Sequence, residues 1–167
     1  MFRVKQARWN LIVFAIAAAV IALDQLTKFW IRHHLALGQS WPDDGILRLT
    51  YVQNTGAAFS IFYGKSDILT VVSIIGVIVL LIYVFIIYRR YTSLDTPVNR
   101  ISLGLILGGT IGNLIDRLAF YGHVTDFIDI GPWPVFNIAD SSTVTGVIIF
   151  ALSLLLADNE SKKTYHL

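Results

Sequence analysis

The chain has 167 residues, 55% of them hydrophobic and 14% charged, with a net charge of +2 and no cysteine. Soluble domains carry about a quarter charged residues, so this composition, at a mean hydropathy of +0.66, is that of a membrane protein. The dispersed lysines and arginines form no nucleic-acid surface. The lack of cysteine excludes a disulfide framework, a thiol nucleophile and any thiolate-held metal.

A membrane helix needs about 20 apolar residues, and four stretches meet that length. The first runs from about Trp9 to Trp30, with Arg3, Lys5 and Arg8 ahead of it and Asp24 and Lys28, an i, i+4 pair, in its second half. Ala17, Ala18 and Ala19 imitate a cleavage zone, but the apolar run continues past them, so it is read as a retained helix. After it, Leu47, Leu49 and Tyr51 alternate with Arg48 and Thr50, the period-two pattern of a half-buried strand. Asn54-Thr55-Gly56 then reads as a turn, with Ala57 to Phe62 returning as a second strand or dipping toward lipid.

The second span, Ile68 to Tyr88, has no charge. The third, Ile101 to about Phe120, carries Gly104, Gly108, Gly109 and Gly112, whose spacing permits close helix contact in lipid. Asn113, Asp116 and Arg117 lie at its far end, with Asn113 and Asp116 on one face. Val124 to Ile130 predicts a short strand and Pro132-Trp133-Pro134 a rigid corner. The fourth span, about Asn137 to Ala157, has Asp140 in its first turn. The whole, residues 1–167, reads as one domain: an all-α membrane protein of four transmembrane helices with a small β-sheet on the outer face.

Basic residues set the orientation. Arg3, Lys5 and Arg8, then Arg89, Arg90 and Arg100 between spans two and three, then Lys162 and Lys163, fall on one side. The positive-inside rule places that side, and both termini, in the cytoplasm. Loops 31–67 and 121–136 are then outside, with Trp30, Trp41 and Trp133 as interfacial anchors. Asp24, Asn113, Asp116, Arg117, Asp126, Asn137 and Asp140 all converge on that outer level. A carboxylate at the bilayer centre costs roughly 2.5–3.5 kcal/mol, so acids in membrane spans usually have a task.

Asp126 and Asp140 are the sharp pair. Two neighbouring carboxylates cannot both ionise freely, so one can hold a proton while the other activates water. The bland alternative makes Asp140 a helix cap and Asp126 an ordinary loop acid. Asp129 rivals Asp126 but, three residues on, faces the other side of a strand. Asn137 can hold a carboxylate or cap its helix, and Asn54 can serve the turn alone. Asp116 and Arg117 can pair with each other or with neighbours. His33, His34, His123 and His166 make no metal-ligand pattern, and no hydroxyl-nucleophile motif occurs, so no metal or cofactor is expected. An ion-translocating subunit or a glycine-packed scaffold would be the competing readings, but neither accounts for acids gathered at one end.

The strings Asp24-Gln25-Leu26-Thr27-Lys28, Asn54-Thr55-Gly56-Ala57-Ala58-Phe59-Ser60, Gly112-Asn113-Leu114-Ile115-Asp116-Arg117, Val124-Thr125-Asp126-Phe127 and Phe136-Asn137-Ile138-Ala139-Asp140-Ser141 resemble, in order, the motifs of the lipoprotein signal peptidases. The resemblance spans about residues 20 to 145. It implies an aspartic endopeptidase of the bacterial cytoplasmic membrane, working at the outer face, that cuts prolipoproteins just before their diacylglyceryl-cysteine. It implies Asp126 and Asp140 as the catalytic pair, with Asp24, Asn54, Asn113, Arg117 and Asn137 orienting it or contacting substrate, and Asp116 in support. The outer sheet would cradle the substrate. The expected partners are the lipidated prolipoprotein and membrane lipids, and the expected state is a monomer without cofactor.

Overall fold

The computed structural model describes residues 2–55, 66–87 and 96–164. The expected return of Ala57 to Phe62, and Arg89 and Arg90, lie outside the described residues. Helix α1 spans Phe2–His34, α2 Ser66–Ile82 with a π-helical continuation Tyr83–Ile87, α3 Pro97–Ala119 and α4 Ile138–Thr164. Within them, Asn10–His34, Asp67–Ile86, Pro97–Ala119 and Ile138–Leu156 are long and apolar enough to cross a membrane. The four expected spans are all present.

Several boundaries differ from the expectation: α1 already begins at Phe2, and α4 runs past Ala157 to Thr164. Helix α1 continues one turn past Trp30. Helix α3 begins at Pro97 rather than Ile101, because Thr96 caps it, accepting the Asn99 N–H at 3.1 Å, with Pro97 in the first helical position. Arg100, expected in the preceding turn, is therefore a buried helical residue.

Helix α3 is the hub, packed against α1, α2 and α4. Val13 and Ala17 of α1, Leu103 and Leu107 of α3 and Val84 form the buried core of the bundle. The outer faces are apolar: Val71, Val72, Ile75, Ile78 and Val79 of α2 and Val147, Ile148, Leu152 and Leu155 of α4 are all exposed. An exposed apolar surface of that extent suits lipid, where no water has to be displaced from it.

Close packing rests on the glycines. A Cβ on Gly109 would land on the Ala139 carbonyl and the Thr143 hydroxyl, and one on Gly112 would lie 2.7 Å from Asp24 Oδ2. Glycine at these two sites thus brings α3 against the start of α4 and against the acidic segment of α1.

The sheet is antiparallel, in the order β1 (Ser40–Trp41), β2 (Leu47–Asn54), β3 (Val124–Ile130). Both strands read from the sequence are there; β1, two residues long, carries no periodic signal. Val52 faces Asp126 and Asn54 faces Val124, with a register irregularity between Leu49 and Val52. Along β2, Tyr51 is buried whereas Leu47, at its start, is exposed. Tyr51 and Phe127 pack on Ile31 and Leu35, fixing the sheet to the C-terminal end of α1. Phe136 bridges to Ile128, which carries β3 to the start of α4.

Substituting Gly109 with alanine should destabilise the fold by about 1–3 kcal/mol through overpacking. Gly76→Ala is the control, because its Cβ would meet only Thr110 Cγ2 at 3.9 Å. Thermal unfolding in detergent should show a lowered midpoint for the first and no loss for the second.

Candidate active site

Four elements bring the site together. Asp126 comes from β3, Asn54 from the end of β2, Asn113 from α3, and Asn137 and Asp140 from the start of α4. Asn137 is the centre of the arrangement. Its Oδ1 accepts the Asp140 N–H at 2.8 Å, while its own N–H donates to Asp140 Oδ2 at 3.3 Å, a reciprocal helix cap. Its Nδ2 donates to Asp126 Oδ1 at 2.7 Å. One residue therefore contacts both carboxylates, and capping and holding a carboxylate prove to be the same act.

Each carboxylate has a further amide donor. Asn54 Nδ2 donates to Asp126 Oδ2 at 2.8 Å, and Asn113 Nδ2 to Asp140 Oδ1 at 2.7 Å. Asp126 is buried to 1% exposure. Burial, and next the charge of Asp140, push its carboxyl up to about 7, against the Asn54 and Asn137 donors and the Lys28 cation, which pull it down.

Beneath lies a buried ionic cluster. Lys28 Nζ sits 2.9 Å from Asp24 Oδ2 and 3.4 Å from Asp116 Oδ2, all three side chains being fully buried. Asp24 Oδ1 accepts the Ala139 N–H at 3.0 Å, satisfying one of the first-turn donors of α4. Asp116 Oδ2 accepts the Thr125 N–H at 2.8 Å, immediately before Asp126. Arg32 donates to Thr125 Oγ1 at 3.0 Å, approaches Asp116 at 3.7 Å and lies over the Phe120 ring. Gln25 Nε2 bridges Asp24, the Gly112 carbonyl and Asp116.

Of the two pairings open to Asp116 and Arg117, the structure shows the one with neighbours. Asp116 takes Lys28 and Arg32, and Arg117 turns instead to Ser73 Oγ at 3.2 Å and to the Asn113 carbonyl. Arg117 lines a cavity of about 240 Å³ beside Asp140, bounded by Ser73 of α2, Thr110 and Asn113 of α3, and Thr143 and Val144 of α4. Asp129 faces away as expected, held by Arg48 and Thr50, each at 2.7 Å. Sequence reasoning gave no role to Gln25, Arg32, Ser73 or Thr125. Gln25 and Thr125 lie within the motif strings, and Arg32 continues the four-residue spacing of Asp24 and Lys28 along α1, whereas Ser73 carried no signal.

Fold and site together define a multi-pass membrane protein with a buried cluster of carboxylates and amides at one end of its bundle. Residues 16–156 match the family model described as signal peptidase (SPase) II. A lipoprotein signal peptidase of Dehalococcoides mccartyi is 46% identical over 155 residues, covering 93% of this chain and 96% of that protein. One from Moorella thermoacetica is 45% identical over 146 residues, covering 87% and 93%. Two solved bacterial membrane enzymes are similar in structure. One has a TM-score of 0.77 at 32% identity, covering 89% of this chain and 90% of its own. The other has 0.74 at 34%, covering 86% and 92%. The chain belongs to the signal peptidase II family and is a bacterial membrane peptidase.

The raised Asp126 carboxyl makes stability depend on pH. Its folded value, about 7, exceeds the unfolded value of 3.8. Between these the folded state binds more protons, so the contribution of Asp126 to stability is greatest below about pH 4, falls as pH rises and levels off above about 7. Thermal unfolding across pH 4–8 should show that decline for the wild type and a shallower one for Asp126→Asn.

Proposed function

We propose that this peptidase is an aspartic endopeptidase that removes the signal peptide from prolipoproteins, cutting just before the diacylglyceryl-modified cysteine. The observation that carries the reading is the sharing of Asn137 between Asp126 and Asp140. Sequence relatives named lipoprotein signal peptidases support the substrate class.

The chemistry follows from the unequal settings of the two acids. Asp126, buried and pushed up to about 7, retains the shared proton near neutrality. Asp140, facing the cavity, acts as base: it takes a proton from water, whose oxygen attacks the scissile carbonyl. Asp126 donates its proton to the developing oxyanion. Collapse of the tetrahedral diol expels the amine of the cysteine, protonated by the carboxyl that accepted the water proton, while a diol hydroxyl returns its proton to Asp126. Asn54, Asn113 and Asn137 hold both carboxylates, and Asp24 and Asp116 anchor the elements that carry them.

The substrate suits the architecture. A signal peptide is an apolar helix that enters from lipid, and the cavity at Asp140 lies among α2, α3 and α4. Arg117 is placed there to contact the peptide. The basic residues orient this end outward, where the diacylglyceryl chains stay in the bilayer, the sheet cradles the exposed segment and water is at hand.

Purified chain in detergent should cleave a diacylglyceryl-modified prolipoprotein and leave the unmodified precursor intact, with or without a chelator. Asp126→Asn and Asp140→Asn should each lower kcat by roughly 10²–10⁴-fold while eluting as folded protein. Substantial cleavage by either variant would remove the dyad assignment. Arg117→Ala should lower both folded yield and activity, since it severs the contact with Ser73. Intact yield with a raised KM would make Arg117 a substrate contact alone.

A further inference from the structure

Lys28 is more than the partner of Asp24. Its ammonium reaches three acceptors: Asp24 Oδ2 at 2.9 Å, Asp116 Oδ2 at 3.4 Å and Asn113 Oδ1 at 2.9 Å. The third contact matters for the site. An asparagine amide can be turned either way, and only one orientation gives Asp140 a donor. With Lys28 and Asn137 Nδ2 (3.0 Å) both donating to Asn113 Oδ1, the oxygen is fixed inward and Nδ2 is left for Asp140 Oδ1 at 2.7 Å. Reversing the amide would set its NH2 group against the ammonium and its oxygen against the carboxylate. Both contacts would be repulsive, and at Lys28, which is fully buried, water could not relieve the clash.

We propose that Lys28 is a positioning residue of the peptidase, acting through Asn113 to hold Asp140 in its hydrogen-bonded place beside Asp126. The arrangement is a relay of orientation, with no proton moving along it. The cation also supplies positive charge near Asp126, opposing the effects of burial and of Asp140. A lysine there for helix stability alone would need Asp24 four residues before it, and no contact with α3.

The inference rests on the dyad reading above, and its test separates the two. Lys28→Met is the direct variant. Because it strands two buried acids, Lys28→Met combined with Asp24→Asn, which removes one charge of each sign, is prepared alongside. Folding is followed by size exclusion and thermal unfolding, and the folded variant is assayed with lipidated prolipoprotein. We expect kcat to fall on the order of 10- to 100-fold, with KM changed less than about twofold. The pH profile of kcat should move upward, because loss of a nearby cation raises carboxyl pKa values. Adding Asn113→Ala should then cost little more, since both substitutions break one relay. Wild-type kcat and pH profile in the folded variant would overturn the proposal. So would an Asn113→Ala effect of equal size with and without Lys28. Activity in Asp126→Asn or Asp140→Asn would instead overturn the dyad itself.

Discussion

The cap at Asn137 is the interaction on which the site depends. A helix start leaves backbone donors without partners, and here those donors and the residue that satisfies them are turned toward the chemistry. The Asp140 N–H is met by Asn137 Oδ1 and the Ala139 N–H by Asp24, while Asn137 Nδ2 reaches across to Asp126. Helix α4, strand β3 and helix α1 are thereby locked to one another by groups that also set the two carboxylates. Disturbing the cap would disturb the fold and the placing of the two carboxylates together.

Burying the charges that surround this cap is costly. Isolated ions taken out of water lose several kcal/mol each unless partners and hydrogen bonds complete their shells. Asp24, Lys28 and Asp116 are fully buried, and each has more than one partner. The two acids on either side of one lysine still leave negative charge, which Arg32 offsets from the more exposed edge at 3.7 Å. The cluster is poor value as pure stabilisation, since apolar residues of similar volume would serve as well. Its links end at Thr125, Asn113 and Ala139, each of them beside or touching a carboxylate of the dyad. That layout suits a role in fixing geometry.

Much of this was legible in the sequence because the lipid environment makes polar residues conspicuous. Asp24, Asn113, Asp116, Asn137 and Asp140 stood out at the ends of apolar runs, and Val124 to Ile130 is a strand with those bounds. Motif order supplied what spacing could not, by singling out Asp126 and Asp140 among several acids. Partner choice was hidden. Whether Asp116 meets Arg117 or Lys28 depends on how α3 is rotated against α1. The close approach at Gly112 settles that, and spacing reveals only that some helix is near. The start of α3 was missed because Asn99 and Arg100 look like loop residues, although Thr96-Pro97 is itself a capping signal. Strand β1 was missed because pairing over Ser40 and Trp41 leaves no pattern to read.

The two acids come from different kinds of structure, and this makes them chemically different. Asp126 sits on strand β3 with its side chain buried, so desolvation dominates its titration. Asp140 sits at a helix start, accepts from Asn113 Nδ2 and the Asn137 N–H, and borders the cavity. On the mechanism proposed above, a pair of identical side chains serving as acid and base needs unequal surroundings. A bundle of helices alone would offer two helix ends of similar polarity. Docking a small sheet onto that bundle, by Phe136 on one side and by Ile31 and Leu35 on the other, supplies the second environment. On the proposed mechanism, the sheet is what gives the two acids their unequal surroundings.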